Sequence, residues 1–536
     1  MSWASRSNPP ALLNQFLQTV SDARAAPNPQ LLASCLNADP RYVTQNQLMI
    51  SLREELVGNP RAIKPNTERV LTDEWPGFTE LVIAYLNYVA ALDPAVMWDV
   101  AAMTPWYKSL KAYMGALNPA FNSNHGSVLI PLVKSTTNLL TNFALKIDLL
   151  VGDPKFNSSH FAMNTLLRTF NITLGERTFF NGPPTLAIIS KKAATLHIAN
   201  LLFKLYFKLN QNRLCATIHT NIDAASIPSF LNLYPKADVV AYKYYLGRQH
   251  FFNAHFTSAL SILTSAYDLC RAQDLKQRRL LLLHMITSAL ILGKFPSQSL
   301  LARPECQGFD QMFYPLCNAI RLGDFRGFRC ALGDEGPDPW KRAWWIKWEL
   351  YLALRNRCQV LLWRGLIRQT HLLTQQSAVD VAQGAKPAPP TVILSDVLAL
   401  GRYLHELPGS AYRSANNNVN PLFLSGNGAD SDGDDDNEEE EEDGGYFGLK
   451  MQMSDVETAV VSLLDQGFVK GYIARQPTGP LIVMSRMGMF PPVAEIYAGS
   501  RWRDDDGGKS LEEVNPFAAG GEGRVINLRG VKAIGE

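Results

Sequence analysis

SDVETAVVSLLDQGFVKGYIARQPTGPLIVMS, residues 454–485, is the stretch that decides the fold. Ser454 and Glu457 form an S-x-x-E pair, which caps a helix start through reciprocal side-chain to backbone bonds. Val456, Ala459, Val460, Leu463 and Leu464 then recur at i, i+3, i+4, i+7 and i+8, one apolar stripe on a helix. Gly467 suits the left-handed residue that closes such a helix. After it the period falls from 3.6 to 2. Phe468, Lys470 and Tyr472 point one way, and Val469, Gly471 and Ile473 the other. Gln476 to Pro480 reads as a turn and Leu481 to Met484 as a second strand. A helix that runs straight into a two-stranded hairpin is the second half of a winged helix.

The first half lies upstream. Ala343 to Leu373 reads as one long helix carrying Trp344, Trp345, Trp348 and Trp363, with Arg364 and Arg368 a turn apart near its end. Lys386-Pro387-Ala388-Pro389-Pro390 is a stiff break, and Ser395 is expected to cap a short helix through Leu404. Residues 408–445 are polar and acidic, with too little apolar content to build a core, and are expected to be disordered. The order is then helix, helix, insertion, helix, hairpin. Beyond about residue 499 the chain is rich in Gly and charge and is expected to be loose.

Farther upstream the pattern is helical. Ile198, Leu201, Leu202, Leu205, Tyr206 and Leu209 form one apolar face, with Lys204 and Lys208 a turn apart on another. The next segment matches a tetratricopeptide-like repeat: Gly247, Phe256, Ala259, Leu263 and Ala266 fall where such a unit wants small, aromatic and large apolar residues in turn. The small residues let two antiparallel helices approach closely. Leu275 to Leu292, Phe309 to Arg321 and Phe325 to Leu332 continue the helix-turn-helix rhythm. Residues 10–150 read as helices broken by turns, clearest at Leu12 to Val20 and Phe78 to Leu92, with a break from Asn118-Pro119 to His125-Gly126. The fold class predicted is mainly α: a helical solenoid followed by a C-terminal winged helix. The expected divisions are an N-terminal helical region (1–184), helical repeats (185–340), a winged-helix subdomain (341–498) and a flexible tail (499–536).

The chain has 536 residues, 46% apolar and 19% charged, ordinary for a soluble protein of two or three domains. No apolar run is long enough for a membrane span, and the N-terminus has no signal-peptide pattern, so no membrane partner is expected. Seven scattered cysteines without a C-x-x-C fit a reducing compartment rather than a disulfide framework or a zinc site. The net charge of +2 hides an asymmetry: residues 430–443 hold 11 acids and no base, and without them 51 bases face 38 acids. A basic body suggests an anionic partner, although a soluble body with a solubilising loop has the same arithmetic. H-E-x-x-H, G-x-S-x-G and G-x-G-x-x-G do not occur, and Gly507-Gly508-Lys509-Ser510 lacks the earlier glycine of a phosphate loop. No enzyme, cofactor or metal is expected.

Six stretches carry a family resemblance: NLLFKLYFKL (200–209), YKYYLGR (242–248), KQRRL (276–280), LRN (354–356), GFVKGYI (467–473) and FPP (490–492). Together they resemble the PCI-domain family, and within it the subfamily shared by the PCI subunit of the nuclear TREX-type mRNA export complex and the signalosome's twelfth-subunit-like proteins. The likeness covers roughly residues 185–495 and extends weakly to NQFLQ (14–18). It implies a non-enzymatic nuclear subunit acting as far as the nuclear pore. Its partners would be a large PCI-containing scaffold of the Sac/GANP type, a small acidic protein of the Sem/DSS type, and RNA or DNA held on the joint winged-helix surface. The long acidic insertion and the extended tail depart from the family pattern.

Lys470, Arg475 and Arg486 flank the two wing strands, and each phosphate they held would add sequence-independent, salt-sensitive affinity. The alternative is ordinary solvated charge. Arg364 and Arg368 either extend that surface or pair with acids inside the domain, the second being favoured. Lys276, Arg278 and Arg279 crowd a helix start, where cations oppose the dipole, so an acidic partner would relieve them; a solvated turn is the alternative. Phe468, Tyr472 and Ile473 are either core or, on an open wing face, partner-binding. The competing functional reading is a purely protein-binding subunit of a signalosome-like or splicing-associated complex.

Overall fold

The computed structural model describes residues 11–26, 29–71, 75–92, 100–176, 190–225, 227–335, 338–376, 389–406, 451–477 and 479–499. The acidic insertion 408–445 and nearly all of the tail lie outside them. The chain divides into two units, residues 1–288 with 297–307, and residues 289–296 with 308–536.

The first unit is helical throughout its described residues. Its N-terminal core is organised by three tyrosines. Tyr85, Tyr88 and Tyr113 have no exposed side-chain surface, and burial pushes their phenols well above the usual tyrosine range. Their hydroxyls donate to three consecutive carbonyls: Tyr113 to Leu36 (3.1 Å), Tyr85 to Asn37 (3.0 Å) and Tyr88 to Ala38 (2.6 Å). Those carbonyls lie just past the end of helix Pro29–Cys35, where the helix itself supplies no donor. Helix Val100–Asn122 runs through Pro119, contrary to the break expected there. The proline sits in the last turn, so a single ladder bond is lost and the break falls at Ser123 to His125 instead.

Helix Thr195–Lys208 buries 11 of its 14 residues, more than the single face the spacing predicted. Phe203 and Phe207 both stack on Tyr245 of the next long helix, Lys236–Phe252, at 5.8 Å. That helix pairs with Phe256–Leu269 as the repeat reading required. Phe256, Ala259, Leu263 and Ala266 are all buried. A Cβ added at Gly247 would stand 2.7 Å from Leu263 Cγ, so only glycine permits this approach. In helix Leu275–Ile291, His284 is 1% exposed and meets Tyr244 and Phe251 edge-on.

The second unit opens with helices Phe309–Leu322 and Phe325–Leu332. The long helix expected over Ala343 to Leu373 is three: Trp340–Lys347, Tyr351–Arg357 and Gln359–Gln376. Glu349 stops the first with a left-handed backbone (φ 59°), a conformation in which an L side chain crowds its own carbonyl. Trp345 is fully buried and donates to the Ala331 carbonyl at 3.1 Å, whereas Trp340 is half exposed. The tryptophans thus divide between core and surface along one short helix.

Two outcomes test this packing. Gly247→Ala should lower stability by about 1–3 kcal/mol through overpacking, read as a fall in melting temperature, and Leu263→Ala in the same chain should recover part of it. Burial, helped by Arg248, holds His284 down at about 3. The unfolded chain, with an ordinary histidine value near 6.5, therefore gains a proton that the folded chain refuses as pH falls from about 6.5 to 3. This stability is fully present above pH 6.5 and is lost toward pH 3, by up to about 1.4 kcal/mol per pH unit. His284→Phe should flatten that part of the melting-temperature profile.

Candidate functional site

The winged helix is assembled from three helices and one three-stranded sheet. Helix Gln359–Gln376 is followed by β1 (Thr391–Ile393), helix Leu394–Glu406, helix Met453–Asp465, β2 (Gly471–Gln476) and β3 (Gly479–Met484). The sheet is antiparallel with order β1-β3-β2. β1 is an element the sequence reading missed, although Thr391-Val392-Ile393 is a β-branched run just after a proline break. Its presence explains why the next helix starts at Leu394 rather than after a Ser395 cap.

Helix Met453–Asp465 begins earlier than the S-x-x-E pair implied. Gln452 is the N-cap and Asp455 its reciprocal partner, the Asp455 carboxylate accepting from the Gln452 N–H at 2.9 Å. Ser454 falls inside the first turn. Val456, Val460 and Leu463 form the buried stripe, and Gly467 takes the left-handed backbone (φ 79°) as the sequence required. β2 starts at Gly471, not Phe468. A Cβ on Gly471 would stand 2.3 Å from the Val483 carbonyl oxygen, which fixes where the two strands can meet.

Arg364 holds the hairpin at both ends. From helix Gln359–Gln376 its Nε donates to the Phe468 carbonyl (3.3 Å), just before β2, and an Nη donates to the Pro491 carbonyl (2.9 Å), after β3. Its guanidinium also lies 5.7 Å from the centre of the Phe490 ring. This corrects the expected pairing with acids: main-chain carbonyls take the charge, and burial followed by Arg368 lowers the Arg364 pKa. Arg368 is exposed.

The remaining sequence-predicted residues separate. Phe468 is 3% exposed and meets Tyr497 edge-on at 5.9 Å, so it offers no ring to a partner. Ile473 is half-buried, while Tyr472 is 63% exposed and Met487, not singled out from sequence, is 85% exposed. Lys470, Arg475 and Arg486 all reach solvent. An odd separation of five places Lys470 and Arg475 on opposite faces of the extended chain. Residues 470–486, the hairpin and its flanks, hold these three bases and no acid, while the four acids of residues 451–499 lie on helix Met453–Asp465 and at Glu495. At the root of the insertion, Arg402 donates twice to the Met451 carbonyl, at 3.2 and 3.1 Å.

Lys276, Arg278 and Arg279 lie in the first unit. Lys276 is exposed. Arg278 pairs with the buried Glu305 carboxylate at 3.4 Å, and Arg279 donates to the carbonyls of Glu305 (3.1 Å) and Gln307 (2.7 Å). Tyr267 donates to Glu305 at 2.7 Å, and Arg303 donates to the Tyr267 hydroxyl at 2.8 Å. The acid that relieves the crowded helix start is therefore supplied by the chain itself. Among the described residues no group of His, Cys, Asp and Glu is placed to hold a metal ion, and no helix is long and apolar enough to cross a membrane.

No family model matches the chain. A PCI domain-containing protein of Schizosaccharomyces pombe is 30% identical to it over 477 residues, covering 86% of this chain and 90% of the relative. The chain belongs to the PCI domain-containing proteins. A protein named as a CSN12 homolog in Neurospora crassa is 27% identical over 67% of this PCI chain and 82% of its own length. A PCI domain-containing protein 2 homolog of Dictyostelium discoideum is 29% identical over a shorter stretch, 41% of this chain and 47% of its own. Helical repeats with a terminal winged helix are what this membership and the observed elements share, and the family's role in multiprotein complexes makes protein partners general to it.

Removing the Arg364 clamp tests the site. A hydrogen bond to a charged group contributes about 1.5–3 kcal/mol, so Arg364→Ala should destabilise the second unit by roughly 2–4 kcal/mol. Arg364→Lys, whose single ammonium does not span both carbonyls, should recover less than half of that in thermal unfolding.

Proposed function

We propose that this PCI protein is a non-catalytic scaffold subunit of a nuclear mRNA export complex. In this reading its winged helix docks the counterpart of a larger PCI-containing partner of the Sac/GANP type, a small acidic protein of the Sem/DSS type steadies the pair, and the assembly holds RNA or DNA while linking transcription to export at the nuclear pore. The observation that supports docking is the exposed wing. β2 is an edge strand with no second neighbour among the described residues, and Tyr472 and Met487 stand out beside it. An unpaired edge with exposed apolar side chains is a surface that another chain covers.

A second reading, a purely protein-binding subunit of a signalosome-like or splicing-associated complex, draws support from two observations. The wing presents the exposed Tyr472 and Met487 to a protein partner, and several relatives are named as CSN12 homologs. Purification of the tagged full-length protein from nuclear extract separates the two. Export factors, a larger PCI protein and a small acidic protein should co-purify, and Tyr472→Asp with Met487→Asp should release the larger partner while leaving the melting temperature within a few degrees. Recovery of signalosome or splicing subunits in place of export factors would reject the first reading.

A further inference from the structure

A further excess of positive charge lies in the first unit, apart from the three bases of the wing. Residues 1–288 and 297–307 contain 27 Lys and Arg against 18 Asp and Glu, and between Val100 and Arg213 the ratio is 12 to 3. The three acids in that span are turned onto backbone. Asp148 accepts from the Ser158 and Ser159 N–H groups (3.1 and 2.7 Å), Asp153 from Lys155 and Asn157 (3.0 and 3.1 Å), and Glu176 from Lys191 (3.0 Å). They keep their charge, and the span still carries nine more bases than acids.

Part of this excess forms a ridge. On helix Ile130–Val151 the apolar face is buried through Leu132, Val133, Leu140, Ala144 and Ile147. Lys134, Asn138, Asn142 and Lys146 recur at every fourth position on the outer side, a row roughly 18 Å long at 1.5 Å per residue. Asn142 donates to Asn138 (3.1 Å) and accepts from Lys204 Nζ of helix Thr195–Lys208 (2.8 Å). Lys208 follows one turn on, near enough to add to burial in lowering the Lys204 pKa. Arg41 lines the same shallow cavity of about 230 Å³ as Asn142 and Lys146. Asp39, also in that cavity, is engaged in capping its own helix through the Arg41 N–H at 2.9 Å. At the other end, Asp238 is shared between Lys134 (3.7 Å) and His197 (3.4 Å).

Cations spaced by neutral amides suit a repeating phosphodiester: ammonium and guanidinium groups neutralise phosphates, and carboxamides donate to phosphate and sugar oxygens. The exposed residues between Lys134 and Lys146 are the polar Ser135, Asn138 and Asn142, and the exposed apolar residues of this helix, Leu149, Leu150 and Val151, lie beyond Lys146 at its end. We propose that the ridge formed by Lys134, Asn138, Asn142, Lys146, Lys204 and Lys208, with Arg41 beside it, binds the phosphate backbone of RNA or DNA without reading its sequence. The inference takes its ligand class from the proposed function, but assigns a surface on the first unit instead of the wing.

The test measures binding of the full-length protein to a fluorescent 20-nucleotide strand and a 20-base-pair duplex from 50 to 200 mM salt. Lys146→Glu, Lys204→Glu and Lys208→Glu together should weaken binding at least tenfold at about 50 mM salt and reduce the slope of log affinity against log salt by about 2–3. The matching triple Lys→Arg variant should bind as wild type does. If the Glu variant loses its wild-type circular dichroism, the triple Lys→Gln variant is measured in its place. Lys470→Glu, Arg475→Glu and Arg486→Glu form a parallel variant. Unchanged affinity and slope in the ridge variant overturn the inference, and if the wing variant alone loses binding, the nucleic-acid part of the proposed function stands without it. Loss in the ridge variant alone supports the ridge and removes the wing. A wild-type protein that binds a poly-glutamate peptide but neither nucleic acid overturns the ligand class.

Discussion

A helix that is apolar on nearly every side has to be surrounded, and Thr195–Lys208 imposes that requirement on the first unit. With 11 of 14 residues buried, it cannot lie on a surface with one stripe facing in. Its aromatics reach Tyr245 of the helix that follows, while Lys204 reaches back to Asn142 of a preceding helix. The three residues left unburied are His197, Lys204 and Lys208, so the element that demands the most burial also places its two lysines a turn apart. Core and surface charge are consequences of the same sequence pattern.

Buried ends impose a second constraint, and the chain meets it with side chains in place of water. Three tyrosine hydroxyls serve three successive carbonyls after helix Pro29–Cys35. Arg364 does the same for carbonyls on both sides of the wing hairpin. In each case an apolar or amphipathic side chain brings its body into the core and its donor to a group that would be costly to leave unpaired. Arginine suits the second task because its forked donors reach two acceptors at once and its charge persists at any ordinary pH.

Local pattern was legible where one period or one residue type decides. The stripe Val456, Val460, Leu463, the left-handed Gly467 and the close approach at Gly247 are all written in spacing and in the absence of a side chain. What escaped was decided by partners distant in sequence. Nothing near Glu349 announces a left-handed break within a helix-favouring run. The three residues of β1 count as a strand only once β3 is beside them, ninety residues later. The roles of Arg364 and of Arg278 were likewise illegible, since their acceptors are a hundred residues away in one case and a buried Glu305 in the other. Charge was divided into the acidic run at 430–443 and a basic remainder, but the further skew within that remainder, 12 bases to 3 acids from Val100 to Arg213, went unread.

The bond between Arg402 and the Met451 carbonyl joins the two ends of a 44-residue excursion, residues 407–450, at its base. Closing a loop costs entropy that rises only with the logarithm of its length, about 0.6 kcal/mol for each doubling. With the neck already tied, sequence between the two anchors can be lengthened, shortened or recharged at small thermodynamic expense to the module it leaves and rejoins. The winged-helix module is in that sense a socket for interchangeable inserts between its second and third helices, and new tethered segments grafted between Glu406 and Met451 would be carried without redesigning the helices on either side.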